Sequence, residues 1–254
     1  MTTARPRRPR ALLVWEDTYC NKLHLLLKRC YAHLGETVVE IYKDSSNGNS
    51  KFDNYIQRSW PIAHRKGLLR SGPIDYVVCV ADADRATSCC HAVEPPPSPQ
   101  EPVDSLNQWI TTANTLWTDA LRENASLAQD RIFGRFLRWS KESVVAACFD
   151  KPDILAELGS VDDDVLKLYL KTCVPAAPAA ISDDTFVHQF RKPQECLKSG
   201  ARAVGIGPLS KSSSAIDIAI EKVSSLYLDT LLRRVPDLKL IAELLGELGK
   251  SATE

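Results

Sequence analysis

Asp75-Tyr76-Val77-Val78-Cys79-Val80-Ala81-Asp82-Ala83-Asp84-Arg85 is the stretch that decides the fold. An apolar run of strand type ends on two aspartates, one residue apart. A second apolar run, Ala11-Leu12-Leu13-Val14-Trp15, ends on Glu16-Asp17. Core packing does not explain carboxylates at the ends of buried strands. If the two strands are parallel neighbours, their acids meet at the carboxyl edge of the sheet, where α/β proteins bind ligands. Crowded carboxylate oxygens repel unless a proton or cation lies between them, and a hard, oxygen-only site suits Mg²⁺ or Mn²⁺.

The segments around these runs alternate strand and helix. Residues 19–34 carry Leu23, Leu26, Leu27, Cys30 and Leu34 at helical spacing, with Gly35 as a C-terminal cap. Residues 37–42 are β-branched and strand-like, and 44–50 have loop composition. Helical residues run on to Leu69 before Ser71-Gly72-Pro73 breaks the pattern. The order β-α-β-α-β predicts a parallel sheet with right-handed crossovers. Residues 94–102 are Pro-rich and read as a stiff, extended loop, either a surface linker or a cover for the acidic edge. A helix over 106–124, a strand over 131–139 and a helix starting at Lys141 follow. Beyond 151, helical spacing recurs near 152–158, 162–173, 212–232 and 236–249. The predicted organisation is a disordered basic arm over 1–10, an α/β domain over 11–150 and a helical C-terminal region over 151–254.

The chain has 254 residues, 44% of them hydrophobic and 25% charged, with zero net charge. That composition is ordinary for a globular protein and gives no overall bias toward nucleic acid or membrane. No apolar run reaches the length of about 18 residues that spans a bilayer, and the basic N-terminus lacks a signal core. The chain therefore reads as cytoplasmic. None of its eight cysteines forms a C-x-x-C pair. Cys89-Cys90-His91 lacks the spacing of a zinc finger. Basic residues gather over 188–211 and, with the N-terminal arm, offer a surface for phosphate backbones or simply a solvated face.

One Glu after the first strand and an Asp-x-Asp after a later one, here Glu16 and Asp82-Ala83-Asp84, resemble the TOPRIM domain of topoisomerases, primases and nucleases. The likeness covers roughly residues 11–149. The stretch Phe136-Leu137-Arg138-Trp139-Ser140-Lys141-Glu142-Ser143 and the tail around Lys192-Pro193, Lys211 and Arg233-Arg234-Val235-Pro236 resemble small stand-alone bacterial TOPRIM proteins. These are related to the overcoming-lysogenization-defect nucleases. TOPRIM domains usually carry Gly after the first Glu. This chain carries Asp17, which can instead cap the following helix.

The resemblance implies a Rossmann-like TOPRIM sheet with a helical extension, and divalent-metal-dependent cleavage of DNA or RNA in phage defence, with an ATPase partner. Asp82 and Asp84 would share a strand face and hold one ion. Glu16 would be a metal ligand or the general base, and Glu142 would complete a second metal site. Lys141 or Lys211 would neutralise phosphate charge. Each acid also has a plain alternative as a helix cap or first-turn residue. Two other functions stay open. One is a degenerate TOPRIM subunit that binds or regulates an ATPase complex. The other is a haloacid-dehalogenase-type phosphohydrolase using Asp82 and Asp84 as nucleophile and acid.

Overall fold

The computed structural model describes residues 7–16, 20–36, 39–48, 51–66, 72–98, 101–138, 142–158, 187 and 214–251. Four parallel strands form one sheet in the order β2-β1-β3-β4: β1 (Arg10–Trp15), β2 (Glu40–Ser45), β3 (Tyr76–Asp82) and β4 (Ile132–Leu137). Helices cover both faces, as the apolar content of β1 and β3 requires. The fold is the predicted α/β class with a helical C-terminal region.

Alternation along the strands sorts the core into two layers. Ala11, Leu13, Trp15, Val78 and Val80 face α1 (Asn21–His33) and the later helices α6 (Glu142–Ala146), α7 (Pro152–Leu158), α8 (Ser214–Leu226), α9 (Leu228–Arg234) and α10 (Pro236–Ser251). Leu12, Val14, Val77, Cys79 and Ala81 face the opposite helices. These are α2 (Phe52–Asn54), α3 (Trp60–Lys66), α4 (Ala86–Cys89) and α5 (Val103–Glu123). The described C-terminal helices thus form one of the two layers that bury the sheet.

α1 ends as predicted at Gly35. Its φ of +80° suits glycine, and its N–H donates to Ala32 while that of Glu36 donates to Tyr31, a Schellman closure. β2 begins three residues later than predicted and absorbs Lys43 and Asp44, because its register is set by pairing with β1 from Arg10↔Glu40 to Trp15↔Ser45. Between α2 and α3, Tyr55–Ser59 is a π-helical turn closed by the Trp60 N–H on the Tyr55 carbonyl. Pro61, which lacks an N–H, follows directly. The helix expected to open at Lys141 is short: α6 stops at Ala146, and single-turn bonds lead to α7. Arg10, predicted as part of the arm, opens β1, while Arg7 pairs with Asp75 at 2.6 Å. Residues 1–6 and the helix expected over 162–173 lie outside the described residues.

β4 is an edge strand, and its outward backbone groups are closed by side chains one helical turn apart on α5. Asn114 Oδ1 accepts from the Phe136 N–H at 2.7 Å, Thr118 Oγ accepts from the Gly134 N–H at 2.9 Å, and Arg122 Nε donates to the Ile132 carbonyl at 3.0 Å. This ladder removes the pairing template that an edge otherwise offers. Gly134 lets α5 approach: a Cβ there would stand 2.7 Å from the Trp117 ring, which stacks on Phe136 at 4.6 Å.

Candidate functional site

β1 and β3 are adjacent and parallel, so the residues that follow them share the carboxyl edge. Glu16 continues the ladder one step past β1, its N–H donating to the Val80 carbonyl at 3.0 Å. Its own carbonyl accepts from the Gly48 N–H at 2.8 Å, which Gly48 presents at a φ of +126°. The Glu16 backbone is therefore held from β3 on one side and from the turn after β2 on the other. Its Oε2 accepts from the Asp82 N–H at 3.0 Å. Two acids 66 positions apart in sequence meet here, both half-buried.

Cys89, at the end of α4, is a buried witness to that meeting. Burial pushes its thiol pKa up, and the charges of Glu16 and then Asp82 push it further. Both carboxylates therefore act on the same point.

The expected sharing of a strand face by Asp82 and Asp84 does not hold. β3 ends at Asp82, whose backbone is still extended at φ −75° and ψ 132°. Ala83–Arg85 then form a 3₁₀ turn. That turn advances about 120° per residue, so strand alternation no longer relates the two side chains, and Asp84 is exposed. Asp44, read from sequence as loop, stands at the end of β2. Its carboxylate accepts from the Tyr55 hydroxyl at 2.6 Å and the Ser45 N–H at 2.8 Å.

At the end of β4 the chemistry differs. Arg138 follows the strand and is 1% exposed. Its N–H and its Nε both donate to Asp237 Oδ2 at 3.1 Å, and its Nη2 donates to Asn107 Oδ1 at 2.6 Å. Its Nη1 is buried with no hydrogen-bond partner. Ser143 Oγ donates to the Arg138 carbonyl at 2.5 Å and folds the start of α6 back onto the strand end. Between them, Glu142 is 0% exposed, and neither carboxylate oxygen has a partner. They are the only buried side-chain oxygens left unpartnered among the described residues.

Of the acids singled out from sequence, the structure joins Glu16 to Asp82, places Asp84 exposed in the 3₁₀ turn that follows and buries Glu142 at the start of α6. Lys141, Lys211, Asp17 and all of the basic stretch 188–211 lie outside the described residues. Among the described residues, no group of three His, Cys, Asp or Glu side chains could hold a metal ion. That applies to the zinc reading of Cys89, Cys90 and His91 as well. The described cysteines, Cys20, Cys30, Cys79, Cys89, Cys90 and Cys148, are free thiols. No described helix is long and apolar enough to cross a membrane.

The sequence reading missed Asn107, Arg138 and Asp237. One signal was available for Arg138: a charged residue directly after an apolar strand, the same cue that marked Asp82. Fold and edge together define a parallel α/β protein with acids at the carboxyl ends of its central strands. Comparison with family models, curated proteins and solved structures finds no match to the chain.

Proposed function

We propose that the protein is a divalent-metal-dependent nuclease that hydrolyses phosphodiesters of DNA or RNA. The observation that carries this reading is the meeting of Glu16 and Asp82 at the ends of neighbouring parallel strands, one hydrogen bond apart. Ligands of open α/β sheets bind at this edge.

The donor set suits a particular kind of ion. A closed cage of zinc type needs three or four protein ligands, and no such group exists among the described residues. Mg²⁺ keeps several waters and is typically held by one or two carboxylates plus substrate phosphates. Glu16 and Asp82 fit that mode, and Mn²⁺ takes the same oxygen ligands. When bound, such an ion activates water and offsets charge on the phosphate. The chain's own part is positional. The ladder fixes Glu16, the Asp82 N–H orients its carboxylate, and the 3₁₀ turn brings Asp84 and Arg85 to the solvent side. Membership of the TOPRIM family, a role in phage defence and an ATPase partner extend the proposal.

A second reading, a regulatory subunit of an ATPase complex, draws on one observation: a Glu16 oxygen is already engaged by the backbone. One experiment addresses these readings together. Purified protein is incubated with single- and double-stranded DNA and RNA in Mg²⁺ or Mn²⁺, beside an Asp82→Ala/Asp84→Ala variant. Cleavage by the parent and none by an equally folded variant is the expected result. No cleavage with either ion, combined with tight binding to an ATPase, would favour the regulatory subunit. Hydrolysis of a phosphomonoester alone would favour the dehalogenase-type enzyme.

A further inference from the structure

The two outer strands of the sheet are finished differently. Side chains of α5 close the outer edge of β4, whereas β2, at the other side, pairs only with β1. The Glu40 N–H donates to the Pro9 carbonyl at 2.9 Å and the Ser46 N–H to the Trp15 carbonyl at 2.8 Å. Alternate residues of a strand bond to the same neighbour. Glu40, Tyr42 and Asp44 therefore turn their backbone groups to β1, and Ile41, Lys43 and Ser45 turn theirs outward. The outward series is closed at its two ends. The Val39 N–H donates to the Tyr31 hydroxyl at 3.0 Å and the Ser45 N–H to Asp44 Oδ1 at 2.8 Å. Between them, the outward N–H and C=O groups of Ile41 and Lys43 have no partner among the described residues. An open row of this kind is a template for another strand.

A groove of about 440 Å³ lies beside Ile41, with Lys28 and Tyr31 of α1 on its other wall and Glu36 and Glu40 at its rim. Its carboxylates are matched: Glu36 pairs with Lys250 at 3.2 Å and Glu40 with Arg10 at 3.0 Å. The lysines are not. Lys28 has no ion-pair partner among the described residues, and Lys43 Nζ donates to the uncharged amide of Asn21. Ile41 packs into the α1 layer, and alternation puts Lys43 on the same face. His24, buried one turn before Lys28, registers both charges. Burial, then Lys28, then Lys43 lower its pKa to about 4. The α1 side of this edge is therefore positive.

We propose that the outer edge of β2 binds an extended acidic segment of a partner protein as an added strand. The backbone of that segment takes up the open groups of Ile41 and Lys43. In strand addition these main-chain bonds supply affinity, and the side chains that alternate toward one face select the partner. Acids on the α1 face meet Lys43 across the pair and Lys28 on the helix wall. A basic segment would set like charges against the same two lysines. A second copy of this chain is the poorer match. Two β2 strands paired antiparallel through Ile41 and Lys43 would set Glu40 opposite Asp44, carboxylate against carboxylate. The acidic segment binds whether or not Glu16 and Asp82 cut nucleic acid.

The test titrates the full chain into three short labelled peptides, read by fluorescence anisotropy. One alternates glutamate with valine. The second has lysine for glutamate. The third is the glutamate peptide N-methylated along its backbone, which keeps the charge and removes the donors. The glutamate peptide is expected to bind, and the other two to bind at least about tenfold more weakly, the scale of two cross-strand charge pairs. Lys28→Gln/Lys43→Gln leaves a donor for Asn21 and should lose about tenfold for the glutamate peptide. Added salt should weaken that peptide's binding to the parent more than to the variant. Failure of the parent to bind the glutamate peptide overturns the proposal. Equal binding of the lysine peptide overturns the acidic partner, and equal binding of the N-methylated one overturns strand addition. A dimer in sedimentation that takes up no peptide gives the edge to a second copy and overturns the proposal as well.

Discussion

At the ends of β1 and β3 the acids stand half in water, whereas at the end of β4 an arginine and two acids are sealed under protein. Both ends belong to the same edge of the same sheet. At the open end, Glu16 is placed by backbone groups, the Val80 carbonyl, the Gly48 N–H and the Asp82 N–H. Removing its charge leaves that scaffold standing. At the sealed end the charges are themselves the scaffold. Asp237 binds both the backbone and the side chain of Arg138 and ties α10 to β4. The difference separates two costs. Open acids are cheap to keep and easy to replace, whereas a buried ion pair is hard to break and a buried orphan is costly to hold.

The most damaging change falls at the sealed end. Asp237→Ala strips Arg138 of its counter-charge at 1% exposure. Breaking such a pair from one side costs about 3–5 kcal/mol. Urea unfolding should show an unfolding free energy lowered by that amount, or a chain that no longer folds. A loss below about 1 kcal/mol would mean that the pair contributes no more than an exposed ion pair, and the contrast between the two ends would collapse.

The next change should act in the opposite direction. Glu142 is buried with both oxygens unpartnered, so replacing it with an apolar residue of similar size removes a desolvation cost. Glu142→Leu is expected to raise the unfolding free energy by about 1–3 kcal/mol and to abolish nuclease activity. Stability gained as activity is lost marks a residue kept for function. A destabilised variant would mean that Glu142 has a partner in solution, and that the sealed end is as satisfied as the open one.

The two ends were unequally legible in the sequence. β1 and β3 were plain because each is a continuous apolar run bounded by charge, and their acids stood out against that background. β2 was displaced because Lys43 and Asp44 are poor strand residues. Only pairing with β1 draws them in, and that ladder is a tertiary fact. The sharing of a face by Asp82 and Asp84 failed at a local boundary, since alternation describes strands and the chain turns to 3₁₀ one residue too early. Arg138 was hidden for another reason. Its partners lie 31 and 99 positions away, at Asn107 and Asp237. Asp237 directly follows Pro236 at the start of α10, where an acid already has an ordinary reason to be. Nor does the sequence reveal that Asn114, Thr118 and Arg122 close a sheet edge. Their helical spacing reads as a polar stripe until β4 lies beside it.

The smallest effect on stability is expected at the open end, and it sharpens the comparison most. Glu16→Gln keeps an oxygen able to accept from the Asp82 N–H and leaves the backbone bonds to Val80 and Gly48 untouched. The side chain is half-buried, so water reaches the site. Unfolding free energy should change by no more than about 0.5 kcal/mol, the ordinary range for a change away from special features. Cleavage should fall by about a hundredfold or more, the scale of removing one preorganised electrostatic group. Urea unfolding and cleavage rates measured on the same preparation separate the two quantities. A large loss of stability would make Glu16 a structural acid like Asp237. Full activity in a stable variant would take it out of the site and leave Asp82 and Asp84 to carry the edge alone.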